Sequence, residues 1–308
     1  MITRRRFIGG AAALSAVAAL PSFAQRSRTR LVLLGTGGGP RVTAKGRAKP
    51  ATLIVVNNVP YVIDCGDGVA LQLVRAGVAL DTLRYLFITH HHSDHNLDYG
   101  NLIYGGWAAG LRTPVDAYGP PPIKAITEAY WQLNRFDIET RIADEGRVDL
   151  RKLVTAHEFS DPGPVMQNAD VKVTAARVRH PPIKEAYAYR FDCADRSIVI
   201  SGDTTVSPEL VALAKGADVL VSEAMHLAGL ENLLKKVPNA ATLREHLLAS
   251  HIVTEDLGKL AAEAGVKTLV LSHLVPGDDP SVTDAMWTEG VRKHYGGPII
   301  VGRDLLEV

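Results

Sequence analysis

The stretch "YLFITHHHSDHNLDYG" runs from Tyr85 to Gly100 and passes from an apolar strand signal straight into four histidines and two aspartates. "YLFIT" has the aromatic and β-branched character of a buried strand, and "NLDYGNLIYGGWAAG" (Asn96–Gly110) has helical spacing despite its glycines. A loop this rich in cation-holding groups has to be held rigidly by the elements on either side. Within it the pattern is His90-x-His92-x-Asp94-His95. Residues two apart in an extended segment project to the same side, so His90 and His92 can converge on one cation while Asp94 and His95 face a second. Imidazole nitrogens and carboxylate oxygens suit Zn²⁺ and similar ions. A two-ion site needs further ligands, and they must come from other strand ends.

The rest of the chain offers them in those places. His180 follows "VKVTAARVR", Asp203 follows "SIVISG", and His273 ends "TLVLSH". Other strands are expected at "RLVLLGT", at "TLIVV" and "PYVID" around an Asn57-Asn58 hairpin turn, at "VDAYG", at 154–159, 171–178, 186–191 and 197–201, and at "DVLVSE". Helices are expected over 68–77, 123–136, 208–214, 240–248 and 255–264. Periodicity alone gives an α/β chain with one domain.

The ligand pattern resembles the metallo-β-lactamase superfamily from about Leu31 to Val301. That resemblance implies a four-layer αββα sandwich and two divalent ions, zinc before manganese or iron. It implies that His90, His92 and His180 hold one ion, that Asp94, His95 and His273 hold the other, and that Asp203 bridges them. Asp64 in "IDCGDG" resembles the family aspartate that steadies the metal loop. "LGTGGGP", "DCGDGVALQL", "YGPP" and "SEAMH" are similar to the ribonuclease Z-like branch, which implies that His251 sits over the reacting ester paired with Glu223. Two ions about 3.5–4 Å apart acidify a shared water, and the hydroxide attacks an electrophile. Asp94 could aim it, and His251 could stabilise the oxyanion or protonate the leaving group.

Residues 1–24 read as a twin-arginine-type export signal: Arg4, Arg5 and Arg6, an apolar run too short for a comfortable span, and "SFA" before the cut. Residues 25–308 then form the hydrolase domain, periplasmic or secreted and off the membrane once the signal is cut. Removing that segment takes away three arginines and no acid, leaving 31 basic (34 less three) against 33 acidic residues. Such a balance lacks the broad basic footprint of a nucleic-acid binder. No long basic arm of the kind that ribonuclease Z enzymes use for transfer RNA is visible, and "SDPGPVMQNAD" (Ser160–Asp170) is short. "VRHPPIKEAYAYRF" and "HLVPGDDP" look closer to exported arylsulfatase-like members. The expected activity is therefore hydrolysis of aryl sulfates or small phosphodiesters, with a small-molecule ester as partner, no nucleic acid, and a possible homodimer. A lactonase or other carboxylic ester hydrolase is the alternative. A ribonuclease Z-type endonuclease and a non-catalytic metal-binding protein rank below it.

Tyr99, Tyr104, Trp107, Trp131 and Trp287 could wall a pocket for an aryl group, but their helical spacing favours the core. Cys65 and Cys193 are expected in buried strands, with their pairing open. His91 points away from its neighbours by alternation. His157, His226, His246 and His294 have no partner pattern and are expected to be structural or solvated.

Overall fold

Leu31 and Leu33 project to one side of the first strand and Val32 and Leu34 to the other, and all four are buried. A strand buried on both faces belongs inside a layered stack. The computed structural model describes residues 29–44 and 46–308 and shows that stack. The export signal expected at residues 1–24 lies outside the described residues.

Among the described residues the first sheet holds β1 (Arg30–Gly35), β2 (Ala51–Val56), β3 (Val59–Ile63), β4 (Tyr85–Phe87), β5 (Val115–Gly119) and β6 (Val154–Glu158). The second holds β7 (Gly163–Gln167), β8 (Val171–Arg177), β9 (Tyr187–Cys193), β10 (Ser197–Ile200), β11 (Val219–Met225), β12 (Thr268–Val275) and β13 (Ile299–Val301). The last strand, β14 (Leu306–Glu307), returns to the free edge of β1, so the orders are β14-β1-β2-β3-β4-β5-β6 and β13-β12-β11-β10-β9-β8-β7. Each sheet is mixed: β1 to β3 and β7 to β10 pair antiparallel, while β3 to β6 and β10 to β13 run parallel.

The helices are α1 (Val69–Arg75), α2 (Ser93–Asn96), α3 (Tyr99–Ala108), α4 (Ile123–Leu133), α5 (Arg135–Glu145), α6 (Pro208–Ala214), α7 (Leu227–Leu234), α8 (Ala240–Ser250), α9 (Thr254–Ala264) and α10 (Asp284–Arg292). Three apolar layers follow. Leu31, Leu33, Ile54 and Phe87 meet Val173, Tyr189 and Phe191 between the sheets. Val32, Leu34 and Leu86 pack outward on Leu73, Leu102, Trp107 and Ile138 of α1, α3 and α5. Val199, Leu220 and Leu269 pack outward on α6, α9 and α10. This is the expected αββα order. The candidate aryl wall dissolves into these layers: Tyr99, Trp107, Trp131 and Trp287 are all buried.

Several local expectations change. The helix expected over 123–136 is two, because Asn134 leaves the helical region (φ −101°, ψ 11°) and its side chain donates to the Tyr130 carbonyl. The helix expected over 96–110 starts at Tyr99, because the Asp98 amide donates to the Cys65 carbonyl and its carboxylate accepts from the Gly68 amide. Cys65 is buried but lies in the turn beyond β3; it and Cys193, the last residue of β9, are free thiols. Asn57 and Asn58 make the expected hairpin turn, at φ 49° and 65°. No helix among the described residues is long and apolar enough to cross a membrane.

Tyr189 ties the central core to the histidine loop: its hydroxyl donates to the Ile88 carbonyl at 2.7 Å, two residues before His90. Tyr189→Phe leaves that buried carbonyl unsatisfied, and we expect a loss of about 1–3 kcal/mol, read from urea unfolding with an unchanged far-ultraviolet spectrum.

Candidate metal centre

One end of the sandwich gathers the polar residues singled out above: Asp64 and the histidine loop follow β3 and β4, Asp203 follows β10, Glu223 and His273 lie toward the ends of β11 and β12, His180 follows the antiparallel β8, and His251 follows α8. Beyond β3, Asp64 adopts φ 63°, a left-handed conformation that is costly for a non-glycine residue and is found where a side chain must be aimed. One Asp64 oxygen accepts from the Thr89 amide at 2.8 Å, both meet the Thr89 hydroxyl at 2.9–3.0 Å, and Oδ2 accepts from His95 Nδ1 at 2.8 Å. His95 Nε2 is thereby turned toward the centre. His90 Nδ1 lies 3.1 Å from the Thr89 hydroxyl, and His180 Nδ1 donates to the Ser250 carbonyl at 2.9 Å. In each case the outer ring nitrogen is held and the inner one presented.

The presented atoms converge in two groups. His90 Nε2 is 3.1 Å and His180 Nε2 3.0 Å from His92 Nδ1, with Asp203 Oδ2 3.8–3.9 Å from the first two. On the other side, Asp94 Oδ2 is 3.7 Å from His95 Nε2 and 3.3 Å from His273 Nε2. Asp203 stands between the groups, with Oδ1 3.3 Å from His95 Nε2 and Oδ2 3.2 Å from His273 Nε2. All seven residues proposed from sequence therefore meet, in the two sets and with the shared aspartate that the resemblance implied.

Backbone devices place the last two. Gly202, before Asp203, has φ 59°, and a Cβ there would lie 2.8 Å from the Tyr187 carbonyl oxygen. β11 and β12 slip register so that Glu223 pairs with Ser272 and Ala224 with Leu274; His273 is the residue left over, at φ 40°. Such a bulge re-aims one side chain out of the alternation. The "GTGGGP" loop then closes over it. A Cβ on Gly38 would lie 2.8–2.9 Å from the His273 ring, and the Gly39 amide donates to Asp94 Oδ2 at 2.9 Å.

His95 Nε2 and Asp203 Oδ1 are buried without a hydrogen-bond partner. Buried polar atoms are ordinarily satisfied, and here nitrogen and carboxylate donors face the same two spaces. The set fits divalent cations, which the metallo-β-lactamase fold implies. Electrostatics agree. Burial alone would neutralise Asp203 and His95. The surrounding histidines instead hold Asp203 well below the usual carboxylate range, and Asp203, Asp64 and Asp94 raise His95. Burial pushes His90 well down and His180 down to about 4, so both are neutral donors near pH 7.

His251 Nδ1 donates to Glu223 at 2.9–3.0 Å, which leaves Nε2 for the cleft. Burial works against its charge, but Glu223, then Asp203 and Asp94, take it up to about 9. Glu223 also accepts from the Thr204 amide at 2.6 Å. A cleft of about 420 Å³ opens above Asp94, Asp203, His251 and His273, lined by the glycine loop on one side and by Leu233, Val237, Leu243 and Leu247 on another. His246, expected to be structural or solvated, lines this cleft from α8, its ring 6.4 Å from that of His92 and 6.3 Å from that of His251, the residue just past the helix end. His91 is held by the Pro120 carbonyl and Asn96, away from the cluster. His157 bonds Asp116, His226 caps α7, and His294 faces Glu255.

Asp64→Asn removes the charge that orients His95, and we expect metal affinity to fall about 10–100-fold, measured by competition with a chromophoric chelator.

Comparisons with known proteins agree with this geometry. A family profile described as "Beta-lactamase superfamily domain" matches residues 60–274. Ribonuclease Z of Mycobacterium sp. (strain KMS) is 33% identical over 90% of this chain and 95% of its own length, and that of Mycobacterium bovis (strain BCG / Pasteur 1173P2) is 29% identical over 90% and 97%. The crystal structure of the short form of human tRNase Z superposes with a TM-score of 0.66 at 18% identity, covering 91% of this chain and 98% of that one. The metallo-β-lactamase fold protein YhfI from Bacillus subtilis matches with the same TM-score at 19% identity, over 91% and 98%.

These relatives overturn the expectation of a hydrolase of aryl sulfates or small phosphodiesters that has a small-molecule ester as partner and no nucleic acid. A net charge summed over residues 25–308 says little about the field inside one cleft, so a near-neutral balance does not exclude a nucleic-acid substrate. The chain is a metallo-β-lactamase-fold hydrolase and belongs to the beta-lactamase superfamily, in its ribonuclease Z-like branch.

Proposed function

We propose that this protein is a metal-dependent phosphodiesterase that cleaves RNA in the manner its ribonuclease Z relatives are named for, with zinc in both cation positions. The observation that carries the reading is the seven-ligand cluster with the His251–Glu223 pair beside it, in a chain 33% identical to a ribonuclease Z over 90% of its length. His90, His92 and His180 would hold one ion, Asp94, His95 and His273 the other, and Asp203 both. The chemistry supplied by bound divalent cations is Lewis acidity, which polarises a phosphoryl group and makes water acidic enough to serve as a nucleophile near neutral pH.

The chain's own residues do the rest. Asp94 keeps a carboxylate oxygen toward the centre under the Gly39 amide, placed to accept a hydrogen bond from the attacking water and aim it. His251 carries a proton that Glu223 stabilises through Nδ1, so Nε2 is a donor to the leaving oxygen of the scissile diester. The buried floor excludes bulk water from these contacts and so strengthens them.

Purified, metal-loaded protein should cleave a precursor transfer RNA. Its activity should vanish on chelation and return with Zn²⁺. His92→Ala and Asp203→Ala should be inactive. His251→Ala should lose about 10²–10⁴-fold in kcat while retaining its metal. Turnover of an aryl diester but of no RNA by the loaded protein would sink the ribonuclease reading.

A further inference from the structure

Three basic side chains line the cleft, and they are not equivalent. Arg47 is committed to the scaffold: Nε donates to the Gly277 carbonyl at 3.0 Å, and Nη1 to the Thr36 hydroxyl at 2.9 Å and the Gly302 carbonyl at 2.7 Å. Arg41 is exposed at the mouth. Lys49 is only 7% exposed, yet it makes no ion pair or hydrogen bond with a described residue. Burial lowers its ammonium below the ordinary lysine value, and the carboxylates that oppose this, Asp94 first, act from beyond ion-pair distance. A buried charge is ordinarily paired, because leaving water uncompensated is expensive.

Its position is rigid. Lys49 lies two residues before β2, and Gly35 and Gly66 pack against it so closely that a Cβ on Gly35 would strike its carbonyl and one on Gly66 would strike its Cβ and carbonyl carbon. It stands off the floor, on the partition between the cleft and a neighbouring groove lined by Val42, Asp67, Gln72 and Arg75, which contains none of the seven candidate ligands. The α7–α8 wall of the cleft offers Leu233, Val237, Leu243 and Leu247. A second anion entering with a substrate would find no charged group there, and Lys49 is the buried cation able to receive it.

We propose that Lys49 is the subsite for the phosphate adjacent to the scissile one, so that the cleft recognises two consecutive phosphates of an RNA chain rather than one isolated diester. The proposal rests on the ribonuclease reading, since that reading supplies a substrate with a phosphate at every residue. The ammonium acts as a point charge and donor, a role suited to a phosphate whose exact orientation does not enter the chemistry.

The test is equilibrium binding of adenosine 5′-monophosphate and adenosine 3′,5′-bisphosphate to the metal-loaded full chain, in the wild type, Lys49→Met and Lys49→Arg. Methionine keeps the aliphatic stem and removes the charge. The wild type should prefer the bisphosphate by about tenfold or more, as one charge-assisted contact provides. Lys49→Met should lose most of that preference and Lys49→Arg should keep most of it. Equal wild-type affinity for the two nucleotides overturns the proposal without recourse to any variant, and so does a preference that survives in Lys49→Met. If the preference is present and removed by Lys49→Met while precursor transfer RNA remains uncut, the two-phosphate subsite stands and the ribonuclease reading alone fails.

Discussion

Asp64 accepts hydrogen bonds from the Thr89 amide, the Thr89 hydroxyl and the His95 imidazole with a single carboxylate, and much of the site depends on that arrangement. It joins the turn after β3 to the turn after β4 and fixes both the path of the histidine loop and the tautomer of His95. The bonds form in a nearly dry place, where a charged acceptor binds its donors strongly and an unmet one is penalised heavily. The positive φ of Asp64 is the local cost of putting the carboxylate there. The rest of the floor uses the same device with other anchors: the Ser250 carbonyl for His180, Glu223 for His251.

The alternation of apolar residues made the layers legible. Leu31 and Leu33 against Val32 and Leu34 already require a strand covered on both faces, and the Asn57-Asn58 turn announces its hairpin. The ligand loop was legible too, because His90, His92, Asp94 and His95 are close in sequence. His180, Asp203 and His273 could be joined to it only through resemblance, since nothing local says that three strand ends meet. Glu223 and His251 were reached in the same way.

What escaped the sequence has physical causes. β7 opens on Gly163-Pro164 and has no fully buried residue, and α10 fully buries only Trp287 and Val291, so neither carries an apolar stripe wide enough to show a period. The break at Asn134 is a departure of its backbone from the helical region (φ −101°, ψ 11°), supported by a side-chain bond to the Tyr130 carbonyl. His246 gave no signal because its place in the cleft is set by where α8 packs, not by its neighbours in the chain. Lys49 looks like any surface lysine until Gly35 and Gly66 close around it. The aliphatic wall from Leu233 to Leu247 reads as ordinary amphipathic helix, whereas the aromatic residues, chemically more suggestive, went to the interior. Charge was the misleading signal: a sum over residues 25–308 carried no information about one cleft.

The α7–α8 pair that supplies the aliphatic wall has a small apolar core of its own, built from Met225, Leu230, Leu234, Leu247 and Val275, separate from the three layers of the sandwich. Strand ends of both sheets carry the ligands, whereas this wall hangs from one of them. The two parts can therefore diverge at different rates. Substitutions in α7 and the first turns of α8 strain a few side chains of that small core, whereas the end of α8 is tied to the ligand floor through the Ser250 carbonyl and His180, so a lineage can reshape what the wall admits from its far end while the anchored end stays fixed.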